Sequence, residues 1–154
     1  MGRRLTFSEK LVKAKTIGLD SMVFIYLFEK NKKYFPLVEV IFDLLENKKI
    51  SCVTSIISPL EVLSASNLSQ DLERLSLYSR FFKEETNLTV VNLDLQIMET
   101  AAGLRRVFRI KTPDAIQLAT AITKNAALFV TNDDSFKKIR NAKNLPEICI
   151  LSSI

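Results

Sequence analysis

Five short apolar runs, Thr16-Ile17-Gly18-Leu19, Ile50-Ser51-Cys52-Val53, Leu88-Thr89-Val90-Val91, Ala127-Leu128-Phe129-Val130 and Ile148-Cys149-Ile150-Leu151, alternate along the chain with segments of helical periodicity. Runs of this length, rich in β-branched residues and without polar alternation, read as strands buried on both faces. Between them, Met22 to Phe28 reads as a helix, and Leu37, Val40, Ile41, Leu44 and Leu45 recur at helical spacing up to Asn47. A helix is expected from about Ser55 to Leu68. Leu72, Leu75, Tyr78 and Phe82 mark another, and Ile97, Ala101, Leu104 and Phe108 the next. Thr112-Pro113-Asp114 reads as an N-cap with proline at the first helical position, and Ala115, Leu118, Ala119 and Ile122 should face the core. Asp134 to Arg140 completes the set as a short helix. This is the pattern of an α/β fold with a mostly parallel sheet of about five strands covered on both faces.

The chain's 154 residues, 47% hydrophobic and 25% charged with 3 Gly and 4 Pro, suit one compact domain and exclude a disordered or linker-rich protein. The longest apolar region, Ile17 to Phe28, is broken by Gly18, Asp20 and Ser21, too short for the ~18 residues of a membrane span. The N-terminus lacks the apolar core of a secretory signal, so export is not expected. Cys52 and Cys149, each set among apolar residues, read as core thiols in a reducing cytoplasm.

The net charge is +5, but Arg3, Arg4, Lys10, Lys13 and Lys15 against Glu9 place +4 of it within the first 16 residues. Residues 1–15 are therefore expected to form a basic N-terminal arm, either touching phosphate or simply solvated, with 16–154 a single domain.

Histidine is absent. That removes the usual general base, the triad imidazole and the commonest zinc ligand, so any chemistry must rest on carboxylates. In a parallel sheet, ligands sit at the carboxyl ends of the strands. Asp20 directly follows the first apolar run, Glu61 lies in the helix after the second, Asp114 opens an Ala-rich helix, and Asp133 and Asp134 directly follow the fourth run. Each has a local alternative. Glu61 stands three after Ser58 as in a capping box, Asp134 three after Thr131, Asp114 suits a helix N-terminus, and Asp is a favoured N-cap. A helix beginning at Ser55 would remove the capping explanation for Glu61. Asp20 divides a nearly wholly apolar stretch, where an unpaired carboxylate is costly.

The segments Leu-Asp-Ser-Met-Val-Phe-Ile-Tyr from Leu19, Ser-Pro-Leu-Glu-Val-Leu from Ser58, Thr-Pro-Asp-Ala-Ile-Gln-Leu-Ala-Thr-Ala from Thr112 and Phe-Val-Thr-Asn-Asp-Asp-Ser-Phe from Phe129 resemble the four acidic motifs of PIN-domain nucleases, specifically the VapC-like group. The resemblance runs from about Thr16 to the end. It implies a PIN-like three-layer α/β/α fold and a metal-dependent endoribonuclease, with Asp20, Glu61, Asp114 and Asp133 matching the family's acidic quartet around Mg²⁺ or Mn²⁺. Thr131 matches the hydroxyl residue of the last motif, and Ser21 and Asp134 are candidate helpers. It also implies an antitoxin partner and a homodimer. The basic extension and the Gln117-Leu118 pair, where many relatives carry Ile-Ala, depart from the commonest pattern.

Carboxylates suit such chemistry. Two of them ~4 Å apart repel by about 4 kcal/mol at an effective dielectric of 20, and a cation turns that repulsion into attraction. Magnesium prefers oxygen ligands, keeps several waters and acidifies a bound one, and two ions ~3.5–4 Å apart can clamp attacking and leaving oxygens. Arg105, Arg106, Arg109 and Lys111, which closely precede Asp114, are candidates to hold an RNA backbone, as are Lys32, Lys33, Lys48 and Lys49. A non-catalytic RNA-binding or assembly module of the same fold is an alternative. So is a Mg²⁺-dependent phosphatase, although its Asp-x-Asp is missing because Met22 stands two after Asp20.

Overall fold

The computed structural model describes residues 2–154; Met1, the first residue of the expected arm, lies outside the described residues. Helices α1 (Phe7–Ala14), α2 (Ser21–Phe28), α3 (Phe35–Glu46), α4 (Ile57–Leu63), α5 (Leu72–Glu84), α6 (Leu95–Phe108) and α7 (Thr112–Thr123) surround strands β1 (Thr16–Leu19), β2 (Ser51–Ser55), β3 (Leu88–Val91), β4 (Leu128–Thr131) and β5 (Glu147–Ile150). All four strand pairings are parallel, in the order β3-β2-β1-β4-β5. The sheet is thus wholly rather than mostly parallel.

Successive strand residues point to opposite faces, which divides the core in two. Ile17, Leu19, Leu128 and Val130 pack with Leu11 of α1, Val23 and Phe24 of α2, and Val38, Ile41 and Leu45 of α3. Phe129, Ile148 and Ile150 pack on the other face with Ile97, Ala101 and Leu104 of α6 and with Ala115, Leu118 and Ala119 of α7. Gly18 lets α7 lie directly on the sheet, since a Cβ there would stand 2.6 Å from Cβ of Ala121.

The chain leaves β1 toward β2 and β3 on one side and returns to β4 and β5 on the other. The reversal falls between β1 and β4, and in open parallel sheets ligands bind at the carboxyl ends of the strands at such a switch point.

Four details differ from the sequence expectation. The basic segment is no solvated tail: Thr6 and Glu9 form a reciprocal capping box for α1, Leu11 is fully buried, and Lys10 bonds Glu147 of β5 at 2.6 Å. The helix expected from Ser55 to Leu68 is split into α4 and a 3₁₀ turn over Ser66–Gln70, with Ala65 extended between them. Lys111, not Thr112, occupies the N-cap position of α7, and Pro113 lies within its first turn. The segment Asp134–Ile139 is a 3₁₀ helix. Both cysteines are buried and free. Among the described residues no helix is long and apolar enough to cross a membrane.

Candidate active site

Asp20 ends β1 and caps α2. Its Oδ1 accepts the Ser21 N–H at 2.7 Å, and its Oδ2 accepts the Thr131 hydroxyl at 2.7 Å from the end of β4. The same Thr131 oxygen accepts the Asp133 N–H at 3.1 Å, so one hydroxyl ties two acidic residues across the switch point. Asp133 caps the 3₁₀ helix through the Ser135 N–H at 2.8 Å. Asp114 lies in the first turn of α7, half-buried, and Glu61 is exposed on α4.

These four acids share one electrostatic field. Asp20 is only 6% exposed, and burial pushes its carboxyl up to about 6 against the pull of its Thr131 and Ser21 hydrogen bonds, with the charges of Glu61 and Asp133 adding to the rise. Burial likewise raises Asp114 to about 7, followed by the charges of Asp133, Asp20 and Glu61 and by Asp133 acting as hydrogen-bond partner to the protonated form. Oδ2 of Asp114 is buried and makes no hydrogen bond. Two carboxyls raised by burial and by the charges of Glu61 and Asp133, one with an orphaned oxygen, are the environment that a hard cation relieves. Among the described residues no three acidic side chains are gathered closely enough to hold an ion by themselves. The donor set nevertheless fits Mg²⁺ or Mn²⁺, because such ions are commonly held by one or two carboxylates while waters fill the remaining positions.

Local capping explains Asp20 and Asp133 only in part, since each cap occupies one carboxylate oxygen. It does not explain Glu61. The N-cap position of α4 is Ile56, and Ser58 lies within the helix, fully buried. The Thr131–Asp134 box does not form either, because Thr131 closes β4 and Asp133 takes the cap. Asp134 is 74% exposed and ion-paired to Lys137 at 3.1 Å, so it faces solvent rather than Asp20. Arg105, Arg106, Arg109 and Lys111 are all exposed, on the last turn of α6 and the loop leading into α7. Lys138 joins them, its Nζ donating to the Arg109 carbonyl at 3.3 Å.

Sequence reasoning missed a buried polar cluster behind Asp20. Gln117 is 2% exposed on α7; its Nε2 donates to Ser21 at 3.0 Å and Ser58 at 2.8 Å, while its Oε1 accepts the Ser55 N–H at 3.2 Å. Thr54 donates to the Leu19 carbonyl at 2.7 Å and lies 2.6 Å from the Ser58 hydroxyl. The signal available in the sequence was a lone amide among Ala115, Ile116, Leu118 and Ala119, three residues after Asp114.

A family model for the PIN domain matches residues 17–142. No curated protein matches by sequence. Among solved structures, the chain is similar to one in a toxin-antitoxin complex from Klebsiella pneumoniae, with 18% identity, a TM-score of 0.61, and coverage of 88% of this chain and 97% of that one. It is also similar to a chain of VapBC2 from Rickettsia felis bound to a DNA fragment from their promoter, at 21% identity and a TM-score of 0.61, covering 84% and 95% respectively. At these identities the structural likeness speaks for the fold, and the family match for the lineage. The chain belongs to the PIN-domain family.

Proposed function

We propose that this protein is a VapC-like endoribonuclease that hydrolyses RNA phosphodiester bonds with Mg²⁺ or Mn²⁺, and that it is the toxin of a toxin-antitoxin pair. The observation that carries the reading is that the charges of Glu61 and Asp133, far apart in sequence, bear on both Asp20 and Asp114, the latter with a buried oxygen that makes no hydrogen bond. Asp20, Asp114 and Asp133 would hold the ion directly or through water, and Glu61 would ligate or orient the attacking water. When bound, the ion supplies an activated water, charge neutralisation on the phosphoryl oxygens and stabilisation of the leaving alkoxide. Thr131 and Ser21 fix the Asp20 carboxylate so that its oxygens do not rotate away. Arg105, Arg106, Arg109 and Lys111 would attract the RNA backbone, which an acidic pocket alone repels.

The partner reading draws on the two neighbours, one described as a toxin-antitoxin complex and the other as VapBC2 bound to promoter DNA. It includes a small antitoxin protein that covers the acidic pocket, and a homodimer. Exposed Leu60, Leu72 and Leu77, on the mutually packed α4 and α5, offer apolar surface for a protein contact.

The test is incubation of purified protein with mixed single-stranded and structured RNAs in Mg²⁺, Mn²⁺ or EDTA. Cleavage in either metal and none in EDTA is expected. RNA left intact in every metal, or cleaved equally in EDTA, would overturn the proposal; turnover of small phosphomonoesters instead would favour a phosphatase.

A further inference from the structure

Gln117 occupies a position where an apolar side chain would fill the α7–sheet interface without any hydrogen-bonding demand. Instead its amide is fully engaged. The Ser55 N–H can only donate, which fixes Oε1 toward β2 and leaves both Nε2 hydrogens for Ser21 and Ser58. With the Thr54 hydroxyl committed to the Leu19 carbonyl, Ser58 donates to Thr54, and Ser21 at 3.3 Å can donate to Ser58. Every member is satisfied, the condition under which a buried polar cluster specifies one arrangement of the elements around it.

Gln117 and its two Nε2 partners each sit near a different acid. Ser21 follows Asp20 and offers it its backbone N–H. Ser58 lies one helical turn before Glu61 on α4, and Gln117 itself lies one turn after Asp114 on α7. Three of the four carboxylates therefore hang from elements that meet at one amide, and the fourth, Asp133, is tied to Asp20 through Thr131. Like charges on these carboxylates push the elements apart; neutral hydrogen bonds that add no charge of their own oppose the push. We propose that Gln117 is a positioning residue whose contacts with Ser21, Ser58 and Ser55 set the spacing of Asp20, Glu61 and Asp114 and thereby the affinity for the divalent ion. This deepens the nuclease reading and rests on it for the identity of the ion.

The test is Mn²⁺ titration of the full chain by thermal shift and by calorimetry, for wild type, Gln117→Met, Ser58→Ala and Leu11→Ala, with the Mg²⁺ dependence of RNA cleavage measured alongside. Gln117→Met keeps the side-chain volume and removes the amide. Its half-saturating Mn²⁺ concentration should rise about 10-fold, in line with the removal of groups that orient metal ligands, and the Mg²⁺ needed for half-maximal cleavage should rise in parallel. The rate at saturating metal should fall much less. Ser58→Ala should shift the same way by a smaller factor, and it decides the matter if Gln117→Met does not fold. Leu11→Ala, destabilised far from the site, should bind Mn²⁺ as wild type does. Wild-type Mn²⁺ affinity in both Gln117→Met and Ser58→Ala overturns the proposal, as does equal weakening in Leu11→Ala. Protein that binds Mn²⁺ in a Gln117-dependent way but cleaves no RNA leaves the positioning role standing and removes the ribonuclease reading, whereas absence of Mn²⁺ binding by the wild type overturns both.

Discussion

Asp20 is buried and held by two hydrogen bonds, and burial outweighs both of them. Its ionised form is therefore a strain on the metal-free fold. Asp20→Asn keeps the shape and removes the charge, so it should abolish cleavage while stabilising the metal-free protein at pH 8 by on the order of 1 kcal/mol, or about 2–4 °C in Tm. Loss of activity together with a lower Tm would point to a structural role instead. The same carboxyls make a pH prediction. Asp20 and Asp114 keep their protons in the fold up to about 6 and about 7, whereas the unfolded chain releases them near the ordinary value of 3.8. Between those limits the folded state binds more protons, so stability falls as pH rises. The contribution is fully present below about pH 4 and lost as pH passes 6 to 7. Melting curves in EDTA from pH 5 to pH 8 should decline, the decline should flatten in Asp20→Asn and Asp114→Asn, and Mn²⁺ should restore the wild type at pH 8. A wild-type Tm that rises across this range in EDTA would contradict the assignment.

At the scale of elements, most of the fold was legible because the signal is local: runs such as Ala127-Leu128-Phe129-Val130 are apolar throughout, and helices such as α6 repeat their apolar residues every three or four positions. What escaped was set by tertiary contacts. The capping box of α1 was readable from Thr6 and Glu9, but the burial of Leu11 depends on packing against α3 and the sheet, which charge counting does not report. Acidic candidates could be named because they follow strands or stand on the helices that line the sheet, Asp114 at the opening of α7. The Gln117 cluster could not, since its partners lie 59 to 96 residues away. Two substitutions check the packing. Leu11→Ala should cost about 2–5 kcal/mol if α1 belongs to the core, against almost nothing for a tail. Gly18→Ala would force its new methyl group to within 2.6 Å of Ala121 and 3.1 Å of Phe129, and overpacking of this kind should cost about 1–3 kcal/mol in denaturant unfolding. A neutral Gly18→Ala would mean that α7 is free to move away from β1, and with it Asp114.

For the whole molecule, charge is arranged rather than merely summed. Much of the basic excess lies in α1 and the residues around it, where Arg3 pairs with Glu9 and Lys10 with Glu147. The exposed cations from Arg105 to Lys111, with Lys138 beside Arg109, are a separate group. Neutralising Arg105, Arg106 and Arg109 together should weaken RNA binding and reduce the steepness of its salt dependence by about 0.7 for each phosphate of a single strand that the protein no longer neutralises. Unchanged affinity and slope would move the RNA path elsewhere on the surface. The central claim is that Asp20, Glu61, Asp114 and Asp133 act as one pocket for a divalent ion. Its most direct test is calorimetric titration of Mn²⁺ into wild type, Asp20→Asn and Asp114→Asn at pH 8. Saturable binding by the wild type that is abolished or strongly weakened in each variant is the predicted result; no binding, or equal binding by all three proteins, would contradict it.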